Sequence, residues 1–294
     1  MKLSIIIPTI NRYHDLKNTL IYLSDQNYKD FEVIIIDQTP ILESQTVDHS
    51  RLLIRYYHSE FPSASAARNI GIKEAKGEIL LFLDDDVIIE NPDFIQNHIR
   101  HYADSKVPGV AGLILDKNQT KRYTRHWMSY RPDVGWLYFP RNYGCFCWVD
   151  GGGSGNLSVR RQVALNVGSM DENYVKGAHR EESDFCLRVT QKYGQFIYDP
   201  DADLVHIGNI QGGCRTWTSN KQIMADHHFF GGTYFILKNI PINQYPDHLF
   251  CAFRYFVFNS NNLQNPWLIG ISLRKLLQSF YQAWKILKVQ KPSL

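Results

Sequence analysis

Short apolar runs separated by amphipathic stretches set the rhythm of the first half of the chain. Residues 3–8 form an apolar run closed by Pro8, and 31–37 and 54–57 are β-branched or aromatic runs. Residues 79–83 (Ile-Leu-Leu-Phe-Leu) and 110–115 are apolar almost without interruption. Such runs predict strands buried on both faces of a parallel sheet. Between them, Leu16, Leu20 and Leu23 recur at helical spacing within 15–25, and 65–75 is an Ala-rich helix stopped near Gly77. Pro92 opens another helix, with Phe94, Ile95, His98, Ile99 and Tyr102 on one face. This βαβαβ series predicts an α/β fold, a doubly wound and mostly parallel sheet flanked by helices.

The pattern then changes. Residues 116–143 mix basic and aromatic side chains without a period, which predicts a long loop or lid. Order resumes at 146–149. The run Gly151-Gly152-Gly153-Ser154-Gly155 follows, with a helix start expected at Ser158. A helix is predicted over 181–193, short strands over 195–198 and 202–206, and mainly helix beyond. The expected organisation is one α/β domain over 1–215, in two halves of about 1–115 and about 116–215. A helical extension occupies 216–294.

Composition narrows the picture. With 294 residues the chain can bury a large core. A net charge of +3 gives no basis for nucleic-acid binding. Five Cys without a CxxC pair suggest neither a disulfide framework nor a structural zinc site. Without a signal-peptide pattern or an 18-residue apolar run, a cytoplasmic location is expected.

The richest chemistry lies where apolar runs end. Asp84-Asp85-Asp86 closes the 79–83 strand, and carboxylates at the carboxyl end of such a strand face the ligand crevice of an open α/β sheet. Three adjacent negative charges either bind a divalent cation or form a solvated acidic turn. Asp37 ends an earlier strand, as a ligand group or as an ordinary turn residue. Arg68 on the Ala-rich helix either meets a base or phosphate or is a surface side chain. Glu181, Glu182 and Asp184 open a helix, where the macrodipole favours acids, yet a carboxylate there could serve as a general base. His206 ends a strand as a structural residue or as a metal ligand. The glycine run fits neither a P-loop nor a dinucleotide fingerprint, since no Gly-Lys-Ser/Thr follows and Asn156 holds the third glycine position.

In their order and spacing over residues 1–210, these pieces resemble the family-2 glycosyltransferases of GT-A fold. The carriers are Ser4 through Arg12, Val33 through Asp37, Ser65 through Gly71, Lys76-Gly77-Glu78, Leu83 through Asp86 as a DxD motif, Gly152 through Arg161, Glu181 through Arg188, and Val205-His206. The usual Glu-Asp pair reads Glu181-Glu182 here, and Gln38-Thr39-Pro40 replaces a small polar turn.

The resemblance implies inverting transfer of a sugar from a nucleotide-diphosphate donor, UDP- or dTDP-linked, to an acceptor hydroxyl in polysaccharide or glycolipid assembly. It implies donor contacts from Pro8, Thr9, Asn11, Arg12, Asp37, Arg68, Asp84 and Asp85. Asp86, Asp84 and His206 would hold Mn²⁺ or Mg²⁺. Glu182 would be the base, with Glu181 and Asp184 as the other carboxylates of that helix. Trp148, Gly152, Gly153 and Asn156 would face a saccharide or lipid-linked acceptor. A sugar-1-phosphate nucleotidyltransferase is the first rival, but 4–12 lacks the glycine-rich loop it needs. A non-catalytic nucleotide-sugar-binding protein is the second. Over 267–291, apolar residues at near-helical spacing alternate with Arg274, Lys275, Lys285, Lys288 and Lys291. That segment either lies on an anionic membrane or packs its apolar face on the main domain.

Overall fold

The computed structural model describes residues 1–43, 47, 49–121, 143–209, 212–213 and 223–290, with the backbone of 130–131 and 136–137. Most of the loop expected over 116–143 therefore lies outside the described residues. The chain opens with β1 (Leu3–Thr9), α1 (Tyr13–Ser24), β2 (Phe31–Asp37), β3 (Ile54–His58), α2 (Ala64–Glu74) and β4 (Ile79–Leu83). It continues with β5 (Val87–Ile88), α3 (Phe94–Ile99), β6 (Gly109–Asp116), β7 (Tyr130–Arg131), β8 (Trp136–Leu137), β9 (Cys147–Val149), β10 (Asn156–Arg160) and α4 (Arg161–Asn166). After α5 (Glu181–Tyr193) and β11 (Phe196–His206) come α6 (Asp226–Asn239), α7 (Tyr245–Ala252), α8 (Ser260–Gln264) and α9 (Trp267–Gln290).

The main sheet has the order β3-β2-β1-β4-β10-β6-β11-β5. β3, β2, β1 and β4 run parallel. β2, β1 and β4 are buried along almost their whole length, as strands covered on both faces are, while β3 at the sheet edge is half-buried. Their side chains alternate between two cores. Leu3, Ile5 and Ile7 meet Leu16 and Leu20 of α1 on one face, while Ile6, Ile34 and Ile36 meet Ala67 and Ile72 of α2 on the other. β10 runs antiparallel to both β4 and β6, and β11 runs parallel to β6. Hence β1, β4, β6 and β11 all point the same way. Thr9, Asp84–Asp86 and His206 therefore share one edge, and the glycine run that leads into β10 crosses that edge too.

Two expectations are corrected. Ser158 starts no helix; it lies inside β10, where Leu157 and Val159 alternate into the core, and the helix begins at Arg161. The strands expected over 195–198 and 202–206 are one strand, β11, whose pairing with β6 shifts register between Asp199 and Asp203. Pro200 sits in that bulge, where the missing N–H costs no ladder bond.

The helical C-terminal region packs onto the α/β body. Tyr234 and Phe235 of α6 share a core with Tyr174, Ala178 and Ala283. Gly231 permits this approach, since a Cβ there would stand 2.2 Å from the carbonyl oxygen of His179.

Candidate active site

The three aspartates after β4 diverge. Asp84 is a third exposed and turns into the crevice, with Arg68 Nη2 3.5 Å from its Oδ1. Asp85 turns back into the protein, where it accepts a hydrogen bond from the Thr9 hydroxyl at 2.7 Å and pairs with Arg12 at 3.2 Å. Its backbone carbonyl accepts from the Thr19 hydroxyl of α1 at 2.8 Å. Burial pushes the Asp85 carboxyl up to about 7 despite Arg12. Asp86 is buried between Arg12 (3.1 Å), the Asn209 N–H (3.1 Å) and His206 Nε2 (3.3 Å). Burial pushes its carboxyl up, but His206 and Arg12 more than offset this and hold it below the usual range. Ligand atoms of Asp84, Asp86 and His206 all lie within 4.8 Å of one another. Two carboxylate oxygens and an imidazole nitrogen fit a six-coordinate divalent cation that keeps other positions for phosphate or water. Gly155 lets its loop pass this corner, because a Cβ there would stand 2.4 Å from Asp84 Oδ2.

Across the crevice, α2 is capped by Ser63, whose hydroxyl accepts from the Ala66 N–H. One turn later Arg68 reaches α5 and pairs with Glu181, which also accepts from the Ser65 hydroxyl at 2.5 Å. Glu181 is thus engaged by α2, and burial raises its carboxyl to about 7 against the pull of Arg68. Glu182, half-buried, lines the same crevice, and burial raises its carboxyl above the ordinary range. Asp184 lies elsewhere. It is buried among Arg188 (2.8 Å), Lys238 (2.8 Å) and Asn239 (2.8 Å), where it ties α5 to α6.

The crevice holds about 760 Å³. Its lining includes Pro8, Thr9, Arg12 and Arg68, the three aspartates, Gly152, Gly153, Glu181, Glu182 and His206. Four other predicted residues are placed differently. The Asp37 carboxylate is fully buried, accepting from the Tyr13 hydroxyl at 2.6 Å, the Tyr56 hydroxyl and the Thr39 N–H. Its neighbour Gln38 reaches the lining instead. Asn11 adopts the left-handed conformation (φ 54°) and supports the turn through its N–H to the Thr39 hydroxyl. Asn156 is buried beneath the glycine loop, bonded to His98 Nε2 and to the Leu113 and Ala202 carbonyls, the last at the β11 bulge. Trp148 is half-exposed on β9, outside the crevice lining.

A wall of three histidines has no counterpart among the residues expected from the sequence. His179, His227 and His228 line the crevice beyond Glu182. The ring centroids of His179 and His228 are 5.1 Å apart, those of His227 and His228 4.5 Å, and Tyr255 lies parallel to His179. Burial and neighbouring cations depress the imidazoles, His227 to about 4 and His179 well below its ordinary range, so both are neutral at pH 7. The pair His227-His228 opens α6, a helix otherwise legible only as apolar, and nothing local ties it to His179.

A mixed sheet whose carboxyl edge gathers two carboxylates and an imidazole beside one crevice is the arrangement of a GT-A fold. The sequence signature of glycosyl transferase family 2 matches residues 4–167, more than half of the chain, and the chain belongs to that family. An uncharacterized glycosyltransferase of Rickettsia felis is 38% identical over 88 residues, covering 29% of this chain and 15% of that protein. The pre-mycofactocin glycosyltransferase of Mycobacterium tuberculosis is 24% identical over 240 residues, covering 78% of this chain and 46% of that protein. The chain thus spans less than half the length of either relative. A mannosyltransferase of Pyrobaculum calidifontis, solved with GDP-Man and Mn²⁺, shares the fold (TM-score 0.56, 17% identity) over 98% of this chain and 79% of its own.

Proposed function

We propose that the protein is a divalent-cation-dependent glycosyltransferase that moves a sugar, with inversion, from a nucleoside-diphosphate sugar to an acceptor hydroxyl. One observation carries the reading: Asp84, Asp86 and His206 bring ligand atoms within 4.8 Å of one another in the crevice that Glu182 also lines. Mn²⁺ or Mg²⁺ on Asp84, Asp86 and His206 would neutralise the diphosphate charge that grows as the glycosidic bond breaks. Arg68, held by Glu181, adds a fixed cation beside Asp84. Glu182 takes the acceptor proton, and its raised pKa brings its basicity closer to working pH. The acceptor is a saccharide or lipid-linked saccharide of polysaccharide or glycolipid assembly, and the neutral imidazoles of His179, His227 and His228 meet its hydroxyls. UDP- or dTDP-sugars are the expected donors, drawn from the cytoplasm.

A thermal-shift screen of UDP-, dTDP- and GDP-sugars with and without Mn²⁺ tests the donor site, because a ligand bound only by the folded state raises its melting temperature. A cation-dependent shift that disappears in Asp86→Ala is expected; an equal shift in that variant overturns the cation site. Products separate the rivals. A glycosyltransferase releases nucleoside diphosphate, a nucleotidyltransferase pyrophosphate, and a binding protein neither.

A further inference from the structure

Helix α9 carries two faces. Leu268, Ser272, Leu276, Ser279 and Ala283 recur every three or four residues and are buried. Several of these are small, so the helix lies close on α6 and on the π-helical turn Phe253–Val257. The expectation that α9 packs on the body is met by this face, flanked by the partly buried Ile269, Phe280, Ile286 and Leu287. Five further large apolar side chains point elsewhere. Trp267, Ile271, Leu277, Tyr281 and Trp284 are between 42% and 64% exposed. Projected at 100° per residue, they share the opposite half of the helix with Arg274, Lys285 and Lys288, all exposed. Lys288 Nζ lies 5.1 Å above the Trp284 ring. The preceding elements also leave Phe250, Phe258 and Leu263 exposed.

Charge identifies the partner. Residues 248–294 contain Arg254, Arg274, Lys275, Lys285, Lys288 and Lys291 and no acidic residue. Lys275 pairs with Asp226 at 2.6 Å, so the outward basic groups of α9 face no acid of their own helix. A second copy is a poor occupant, because an isologous contact sets a face against itself and would bring these cations together. Among the described residues no helix is long and apolar enough to cross a membrane. Aromatic and aliphatic groups flanked by Lys and Arg on a helix about 36 Å long match a surface lying in a headgroup layer.

We propose that α9 docks the protein on an anionic phospholipid bilayer through Trp267, Ile271, Leu277, Tyr281 and Trp284, with Arg274, Lys285 and Lys288 on the headgroups. This surface is separate from the crevice, so it stands whether or not the sugar-transfer reading does. The test uses the full chain and two kinds of vesicle, phosphatidylcholine alone and phosphatidylcholine mixed with phosphatidylglycerol. Co-sedimentation with the anionic vesicles only, released by high salt, is expected. R274Q/K285Q/K288Q should weaken it by about 100-fold. W267S/W284S should weaken it as well and abolish the blue shift of tryptophan emission on binding. Both variants alter exposed residues, so their melting temperatures should match the native chain. Equal partitioning onto both vesicles, undiminished binding by the triple variant, or a dimer in sedimentation equilibrium that W267S/W284S dissociates would each overturn the proposal.

Discussion

Glu181 and Glu182 are neighbours in one helical turn, yet they meet different surroundings. Both border the crevice, but Glu181 is buried against Arg68 and Ser65, whereas Glu182 is partly exposed there. Glu182→Gln is therefore expected to keep donor affinity and lose transfer by about 10² to 10⁴. The acidic limb of its pH–rate profile should vanish too, because the native rate falls as pH drops through the raised pKa of Glu182 and protonates the base. Glu181→Gln should act on stability, since it leaves Arg68 buried and short of its partner, at a cost of about 3 kcal/mol in urea unfolding. A variant pair with these effects exchanged would make Glu181 the base. Gly155 offers a second residue-scale test. The Cβ of Gly155→Ala would displace the Asp84 carboxylate, so Mn²⁺-supported nucleotide affinity should fall about tenfold or more while Mn²⁺-independent binding changes little.

At the scale of elements, the parallel strands and their connecting helices were readable because fully buried strands must be continuously apolar. The DxD corner was readable for the same reason, as polar residues ending such a run have one edge to face. A polar side chain that serves the fold carries no such one-dimensional signal. Asp37 and Asn156 look like ligand groups in one dimension, but tyrosines from α1 and β3 enclose the first, and α3, β6 and the β11 bulge enclose the second. The histidine wall stayed hidden because it joins residues about 50 positions apart. His98 shows what such burial costs. Its ring sits between Asn156 (2.9 Å) and Ser158 (3.0 Å), and burial lowers its pKa to about 4 from an ordinary value near 6.5. Between those values the unfolded chain binds a proton that the folded chain does not, so stability falls as pH drops. From pH 7 to pH 5 this site should remove about 2 kcal/mol. His98→Gln keeps a hydrogen-bonding group without the titration. Its urea stability should therefore change by about 2 kcal/mol less over that interval; an unchanged slope would show that His98 is not buried neutral.

At the scale of the whole molecule, the question is whether the helices after residue 222 are an appendage or a part of the working body. Lys238 of α6 reaches Asp171 at 2.6 Å, just ahead of the α5 turn, and Asp184 inside α5 at 2.8 Å. Asn239 donates to the same Asp184 oxygen, and the Tyr234 hydroxyl donates to Asp171 at 2.9 Å. Thus α6 grips both ends of the segment that presents His179, Glu181 and Glu182, and it adds His227 and His228 to the crevice wall. An extension held this way should not melt on its own. Lys238→Met leaves two carboxylates short of a cation, although Arg188 still holds Asp184, and should cost about 2 to 4 kcal/mol. The loss should appear as one shifted transition. Far-UV circular dichroism follows helices throughout the molecule, and emission from Trp267 and Trp284 contributes a signal from α9, so in both the native chain and the variant the two probes should trace coincident urea curves. Separate midpoints, with the tryptophan signal changing first, would mean that the C-terminal helices unfold independently. The grip of α6 on α5 would then be too weak to position Glu182 as the proposed base.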